Sequence, residues 1–275
     1  MFNNTIMISR PSSSSFTLAK RLGILRAKIR RGSKSLAESL NVPIVRSNSN
    51  NWYCNKEVVI NWGCSYIPVL EGHLILNHPH AVSKAINKID TFRCIQSAPK
   101  FATDFEEACN FFKDYSHIFC RTTVSGRKGK GIVIADCSDD MVEAPLYTPG
   151  YNVICEFRVH SMGEKVIGIQ QKKKLSEESL RERSVMPIDR RIRNKSNGWI
   201  FSTKIDKKYL SKLEELAFIG TSAINSLELH FGAVDVILTD EGIFVLEVNT
   251  APGLDEVMLD KYTSAFTDYL ISIRG

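Results

Sequence analysis

Near the C-terminus, "FGAVDVILTDEGIFVLEVNTAPG" (Phe231 to Gly253) sets Asp235, Glu247 and Asn249 inside runs that are otherwise apolar. Both runs are rich in β-branched and aromatic residues, which favours strands. Asp240, Glu241 and Gly242 suit a three-residue hairpin loop, with Gly242 in the left-handed position. That register pairs Thr239 with Ile243, and therefore Asp235 with Glu247. Facing residues of an antiparallel pair lie about 5 Å apart at Cβ, and Asn249 shares the face of Glu247 by alternation. Two carboxylates that close repel unless a cation sits between them. Acids and an amide carbonyl are hard oxygen donors, suited to Mg²⁺ held jointly with substrate phosphates. The alternative is the solvated face of a half-buried hairpin, where acids are harmless.

Other chemistry-bearing stretches precede it. "SGRKGKGI" lies between two apolar runs, and its glycines let backbone N–H groups approach phosphate while Arg127, Lys128 and Lys130 add charge. The Walker order is absent, so a plain turn stays open. Arg121 ends the apolar strand "HIFCRTT", where it either reaches phosphate or pairs with a nearby acid. In "ICEFRVH", Glu156, Arg158 and His160 share one strand face, and Phe157 and Val159 the other. The acid and cation there form either a cross-strand ion pair or a ribose acceptor beside a phosphate donor.

These groups need strands and covers to hold them. "TIMIS" and "EVVINWG" read as strands, and "SFTLAKRLGILRAKI" has apolar residues at near-helical spacing. Together they predict a small α/β lobe over about Thr5 to Asn77. One helix is expected over "NHPHAVSKAINKIDTFRCI", and another over Asp104 to Tyr115, capped by Asp104 or Thr103. "NVICEFRVHSM" and "KVIGIQQKKK" form a hairpin around Gly163–Glu164. Leu175 to Gly198 is polar, charged and without clear periodicity, the character of an active-site cover. Helices over "LSKLEELAFIGTSAINSLEL" and "VMLDKYTSAFTDYLISI" flank the acid-bearing hairpin.

With 275 residues the chain can bury a substantial core in two or three lobes. No apolar run approaches the ~20 residues of a membrane span, and "MFNNTIMISRPSSSS" lacks a signal-peptide pattern. Seven widely spaced cysteines without a C-x-x-C pair predict reduced thiols and a cytoplasmic protein. The net charge of +6 is concentrated in Lys20–Lys34, with seven cations and no acid, and between Arg158 and Lys195. Such clusters attract phosphates, nucleic acid or acidic peptides, or they are solvated faces. Neither segment interleaves aromatics as single-strand binders do.

Taken in order, "NKIDTF", "FCRTTVSGRKGKGI", "CEFRV", "RNKSNGW" and the opening hairpin resemble the ATP-grasp superfamily over roughly Asn77 to Leu254. The likeness is to the RimK-like carboxylate–amine ligases, particularly short bacteriophage ATP-grasp proteins. It implies an α/β (α+β) ATP-grasp fold. A pre-ATP-grasp domain over 1–77 precedes an ATP-grasp domain over 78–275, with a lid lobe at about 115–150 and a C-terminal lobe at about 151–275. It implies ATP with Mg²⁺ (or Mn²⁺), and amide formation through an acyl phosphate on an amino acid, small acid or peptide. Lys88 and Arg121 would reach the phosphates, Arg121 standing where the family usually has lysine. Gly126, Lys128, Gly129 and Gly131 would belong to the phosphate lid. Leu146, Tyr147 and Thr148 would cradle adenine, and Glu156 would accept from ribose. Asp235, Glu247 and Asn249 match the metal ligands. Ala233 replaces an arginine that many ligases of the fold carry, so Arg193, Asn194 and Arg158 are the candidates to supply that charge. Arg158, Lys172, Arg190, Arg191 and Arg193 are the candidates for the donor carboxylate and its acyl phosphate, with Arg10 and Ser12–Ser15 bordering the cleft and a solvated face the alternative for Arg190 and Arg191. Alternatives are a nucleic-acid-directed enzyme or binder and a non-catalytic ATP-binding protein. Host cytoplasm follows if the protein is phage-encoded, no membrane partner is expected, and a homo-oligomer stays open.

Overall fold

Leu22, Ile24 and Leu25 are almost wholly buried, and that burial decides the first element. The computed structural model describes residues 22–26, 31–46, 57–66, 72–125, 129–185, 189 and 191–273. In it Leu22–Arg26 is a strand, β1, where the spacing predicted helix. A parallel strand covered on both faces reads as a continuous apolar run, and its charged flanks imitate an amphipathic helix. The helix comes later, as α1 (Arg31–Leu40). Of the basic stretch Lys20–Lys34, residues 22–26 form β1 and residues 31–34 begin α1, and the others lie outside the described residues. So do "TIMIS", Arg10, Ser12–Ser15 and Arg190.

With β2 (Ile44–Arg46), β3 (Val58–Asn61) and β4 (Leu74–Leu76), β1 forms a parallel sheet of order β2-β1-β3-β4. Its core is shared. Leu22, Ile24, Leu36, Ile60 and Trp62 pack with Met162, Phe231, Tyr262, Phe266 and Leu270 of the C-terminal half. Trp62 stacks on Phe231 at 5.4 Å. Asn77, with a positive φ of 65°, accepts from the N–H groups of His230 and Phe231 and donates to Phe231 O. The small lobe is therefore fixed to the body by apolar contact and a buried amide.

The helix expected over Asn77 to Ile95 is broken into α2 (Pro79–Ile86) and α3 (Lys88–Cys94). Asn87 is extended (φ −84°, ψ 112°), ending the first helix and capping the second by accepting from Ile89 N–H. An asparagine side chain competes with the helix ladder and favours such caps. Asp104 caps α4 (Phe105–Cys109) as expected.

A small antiparallel sheet follows, of order β6-β5-β7, from β5 (Ile118–Arg121), β6 (Ile132–Ala135) and β7 (Leu146–Pro149). The glycine loop joins β5 to β6, and Gly126, Arg127 and Lys128 lie outside the described residues. The larger antiparallel sheet runs β10-β9-β8-β11-β12. It contains β8 (Val153–Met162), β9 (Lys165–Lys174), β10 (Trp199–Ser202), β11 (Phe231–Thr239) and β12 (Ile243–Asn249). Helix α6 (Leu213–Ser226) covers one face over Phe157, Val159, Val234, Val236 and Val245. The aperiodic cover holds more structure than its sequence suggested. Ser176 caps a short α5 (Glu177–Glu182), and Asn194 caps a 3-10 turn at Lys195–Asn197. Helix α7 (Glu256–Ser272) closes the chain on the small lobe. No helix among the described residues is long and apolar enough to cross a membrane. Cysteines 94, 109, 120, 137 and 155 are free thiols.

Candidate active site

The acid-bearing hairpin reaches its expected pairing by a different route. At the tip Leu238, not Thr239, faces Ile243, with Val236 opposite Val245. Carried on unbroken, that register would set Leu246 against Asp235. A β-bulge between Asp235 and Val236 takes up the extra residue, and Glu247 falls opposite Asp235 and Asn249 opposite Ala233. Bulges re-aim side chains next to functional sites. Here Val245 and Val248 both enter the α6 core, while Glu247 and Asn249 share the other face and Asn249 Nδ2 donates to Glu247 Oε1 at 3.1 Å. Gly242 takes a positive φ of 139° at the tip.

The face is only partly solvated, Glu247 keeping 36% of its side chain exposed. Asp235 is only 4% exposed and accepts a two-pronged contact from Arg158, Nε to Oδ1 at 2.6 Å and Nη2 to Oδ2 at 2.7 Å. The β8–β11 register places these residues directly opposite each other. Glu247 accepts from buried Lys88 Nζ at 2.9 Å, a reach set by the break at Asn87 that starts α3 at Lys88. Burial alone would raise the Glu247 pKa, but Lys88, Arg158 and Asn249 outweigh it and hold the carboxyl well below its usual range. Burial likewise works against the Arg158 charge, and Asp235 with Glu247 and Glu156 outweighs it in the other direction.

Glu156 and Lys172 face each other across β8 and β9 and form a buried ion pair. Burial pushes the Glu156 carboxyl up to about 7, with Lys172 opposing and Asp235 assisting. Lys172 also donates to Arg193 O at 2.7 Å, while Arg193 Nη2 donates to Val153 O at 2.9 Å. Burial lowers the Arg193 pKa. Two aromatic residues with no individual role in the sequence reading cover these cations. Phe201 lies 4.0 Å from Arg158 and 4.9 Å from Lys172, and Trp199 lies 4.8 Å from Arg193, centre to charge. Their signal was the i, i+2 spacing of aromatics in "GWIF" directly after a polar cover. Asn194 is turned to its own chain, its Oδ1 accepting from Asn197 N–H and Ser196 Oγ. His160 is structural, bonded to Tyr262 and Gln170, and burial then Arg158 depress it to about 4.

The small sheet faces this cluster with Arg121. Its Nε is buried without a hydrogen-bond partner, and burial lowers its pKa while the Glu247 charge acts oppositely. Gly129 (φ 78°) lies so close to the cover that a Cβ would meet Ile192 Cγ2 at 2.6 Å and Asn194 Nδ2 at 3.0 Å. Gly131 (φ 74°) abuts Thr122 and Thr123 in the same way. Leu146 faces Arg121 in register, and Thr148 is buried on the same strand. Tyr147 points into the core of the small sheet, and its N–H and C=O are both bonded to Ala102.

Five cations (Lys88, Arg121, Arg158, Lys172, Arg193) therefore gather around three carboxylates (Glu156, Asp235, Glu247). A largely sequestered excess of positive charge and an unpaired guanidinium N–H fit an anionic, multiply charged ligand. No group of three or more His, Cys, Asp or Glu side chains able to hold a metal occurs among the described residues. A divalent ion here would rest on Asp235, Glu247, the Asn249 amide oxygen and ligand oxygens, a donor set that fits Mg²⁺.

No family model matches the sequence, and no curated protein matches it. Solved structures do. D-alanine–D-alanine ligase from Bacillus anthracis complexed with ATP aligns at TM-score 0.61 and 13% identity, over 90% of this chain and 92% of that one. The ATP-grasp ligase PsnB, complexed with precursor peptide PsnA2 and AMPPNP, aligns at 0.62 and 12%, over 96% and 99%. A RimK domain protein, ATP-grasp, from Sphaerobacter thermophilus DSM 20745 aligns at 0.57 and 13%, over 89% and 98%. At 12–13% identity what such likenesses establish is the fold: this chain has the ATP-grasp fold.

Proposed function

We propose that the protein is an ATP-dependent carboxylate–amine ligase of the RimK-like type, acting on an amino acid, small acid or peptide. The carrying observation is the gathering of five buried or part-buried cations from the large sheet, the small sheet, α3 and the cover around three carboxylates, with Arg121 Nε left unpaired. In this reading Lys88 and Arg121 hold ATP phosphates beneath the loop that includes Gly129 and Gly131. Leu146 to Thr148 border the base, and Glu156 accepts from the ribose. Asp235, Glu247 and Asn249 hold Mg²⁺, which neutralises phosphate charge when bound. The donor carboxylate attacks the γ-phosphorus of ATP, giving an acyl phosphate and ADP, and an amine then displaces phosphate to leave an amide. Phosphoryl transfer is mostly positioning and charge neutralisation, the work this reading gives to Arg158, Lys172 and Arg193. Asn194 contributes through the turn it caps. The alignment with PsnB bound to a precursor peptide supports a peptide among the substrates.

The test is ADP formation with ATP, Mg²⁺ and panels of amino acids and short peptides, with products read by mass spectrometry. Metal-dependent ADP release together with an amide product is expected. ADP formation that persists in excess chelator would count against the assignment.

A further inference from the structure

The cover segment carries two arginines, two residues apart, that reach opposite parts of the molecule. Arg193 extends to Val153 O at the start of β8, and its own carbonyl accepts from Lys172. Arg191 extends the other way. Its Nη1 donates at 2.5 Å to Oδ1 of Asp136, the residue that follows β6 of the small sheet. Asp189 holds the rest of the Arg191 fork through Nη2 at 2.8 Å and Nε at 3.1 Å, and it accepts from Arg191 N–H at 2.8 Å. The same segment meets the glycine loop where Gly129 abuts Ile192 and Asn194. Asn197 Nδ2 closes the turn on Ile192 O at 2.9 Å. Residues 191–197 are thus one braced piece touching both sides of the cleft.

We propose that Asp136 and Arg191 are a positioning pair that couples the placement of the small sheet to that of Arg193 and Lys172. Nucleotide closure on one side then sets the substrate-facing cations on the other. This rests on the ligase reading for its purpose but not for its geometry. Arg191 and Asp136 keep 39% and 60% of their side chains exposed, so the pair adds little to global stability. What it fixes is relative position. Arg191 is held ready by Asp189, so little side-chain entropy is lost on meeting Asp136.

Amide hydrogen exchange of the whole chain without nucleotide tests the coupling. Asp136→Ala lies on the small sheet, yet it should speed exchange of Asn194, Asn197 and Gly198 across the interface by about two- to five-fold, the scale of an exposed ion pair. Arg191→Ala should do the same to Ile132–Ala135, Arg191→Lys should restore part of the protection, and the double alanine variant should exceed Arg191→Ala by little. Exchange changed only on the mutated side, or strictly additive effects, would overturn the proposal. AMPPNP titration of the wild type, run alongside, separates failure of the nucleotide reading from failure of the coupling, which exchange decides.

Discussion

The two faces of the five-stranded sheet are made by the same strands with the same pleat, yet they hold opposite chemistry. Under α6 lie Cys155, Phe157, Val159, Val234, Val236, Leu238, Val245 and Val248. On the reverse lie Glu156, Arg158, Lys172, Asp235, Glu247 and Asn249, nearly as well buried over Glu156 and Asp235. The first face is what a fold needs. Burying apolar side chains stabilises by about 25 cal/mol per Å², whereas buried ion pairs are often neutral or worse than apolar replacements. Stability alone gives no reason for charge on one side of the sheet, and the proposed ligase site supplies one.

The comparison breaks if matched substitutions on the two faces behave alike. Phe157→Ala and Arg158→Ala are neighbours in sequence and opposite in facing. Phe157→Ala should cost about 3–5 kcal/mol through its cavity, and Arg158→Ala a similar ~3–5 kcal/mol by leaving Asp235 buried and unpaired. Urea unfolding measures both. Only Arg158→Ala should also abolish ADP formation per folded molecule, and equal losses in the two variants would refute a functional face.

Next in size is Glu247→Gln. The amide keeps an acceptor for Lys88 but removes the charge, so turnover should fall about 100-fold or more, with cooperative unfolding retained. Full activity in this variant would remove the metal role.

A pH dependence sharpens the contrast further. Burial raises the Glu156 pKa from 4.5 to about 7, so the folded state favours the protonated form. Its contribution is fully present below about pH 4.5 and is lost as pH rises toward about 7. His160 acts in the opposite sense, depressed from 6.5 to about 4, so its contribution falls as pH drops through that window. The difference isolates Glu156: the melting temperature of Glu156→Gln relative to wild type should rise between pH 5 and 8. A flat difference would mean that Glu156 stays ionised throughout.

The smallest expected effect concerns the aromatic cover. Phe201→Leu keeps apolar bulk over Arg158 and Lys172 but removes the ring, which should cost about 0.5–2 kcal/mol. Activity should fall only several-fold, and a loss as large as that of Glu247→Gln would make Phe201 a direct substrate contact.

Much of this is legible in the sequence. Asp235 stands opposite Glu247, Glu156, Arg158 and His160 share a face, and Asp104 caps its helix. Each follows from period two in strands or from a local cap, properties that neighbours along the chain carry. The first lobe failed at Leu22–Arg26, because only burial on both faces separates a parallel strand from a helix of similar composition. The hairpin register failed at the tip yet held at the acids, because a bulge is a tertiary compromise between the α6 core and the site face.

What the sequence determined by itself was which side chains could do chemistry and which neighbours must share a face. What only the tertiary structure decided was their partners: Lys88 on Glu247 from 159 residues away, Arg158 on Asp235 from 77, and Phe201 over both Arg158 and Lys172. Periodicity is a local property of the backbone. The pairing of buried charges is not, since it depends on which elements the shared apolar core draws together.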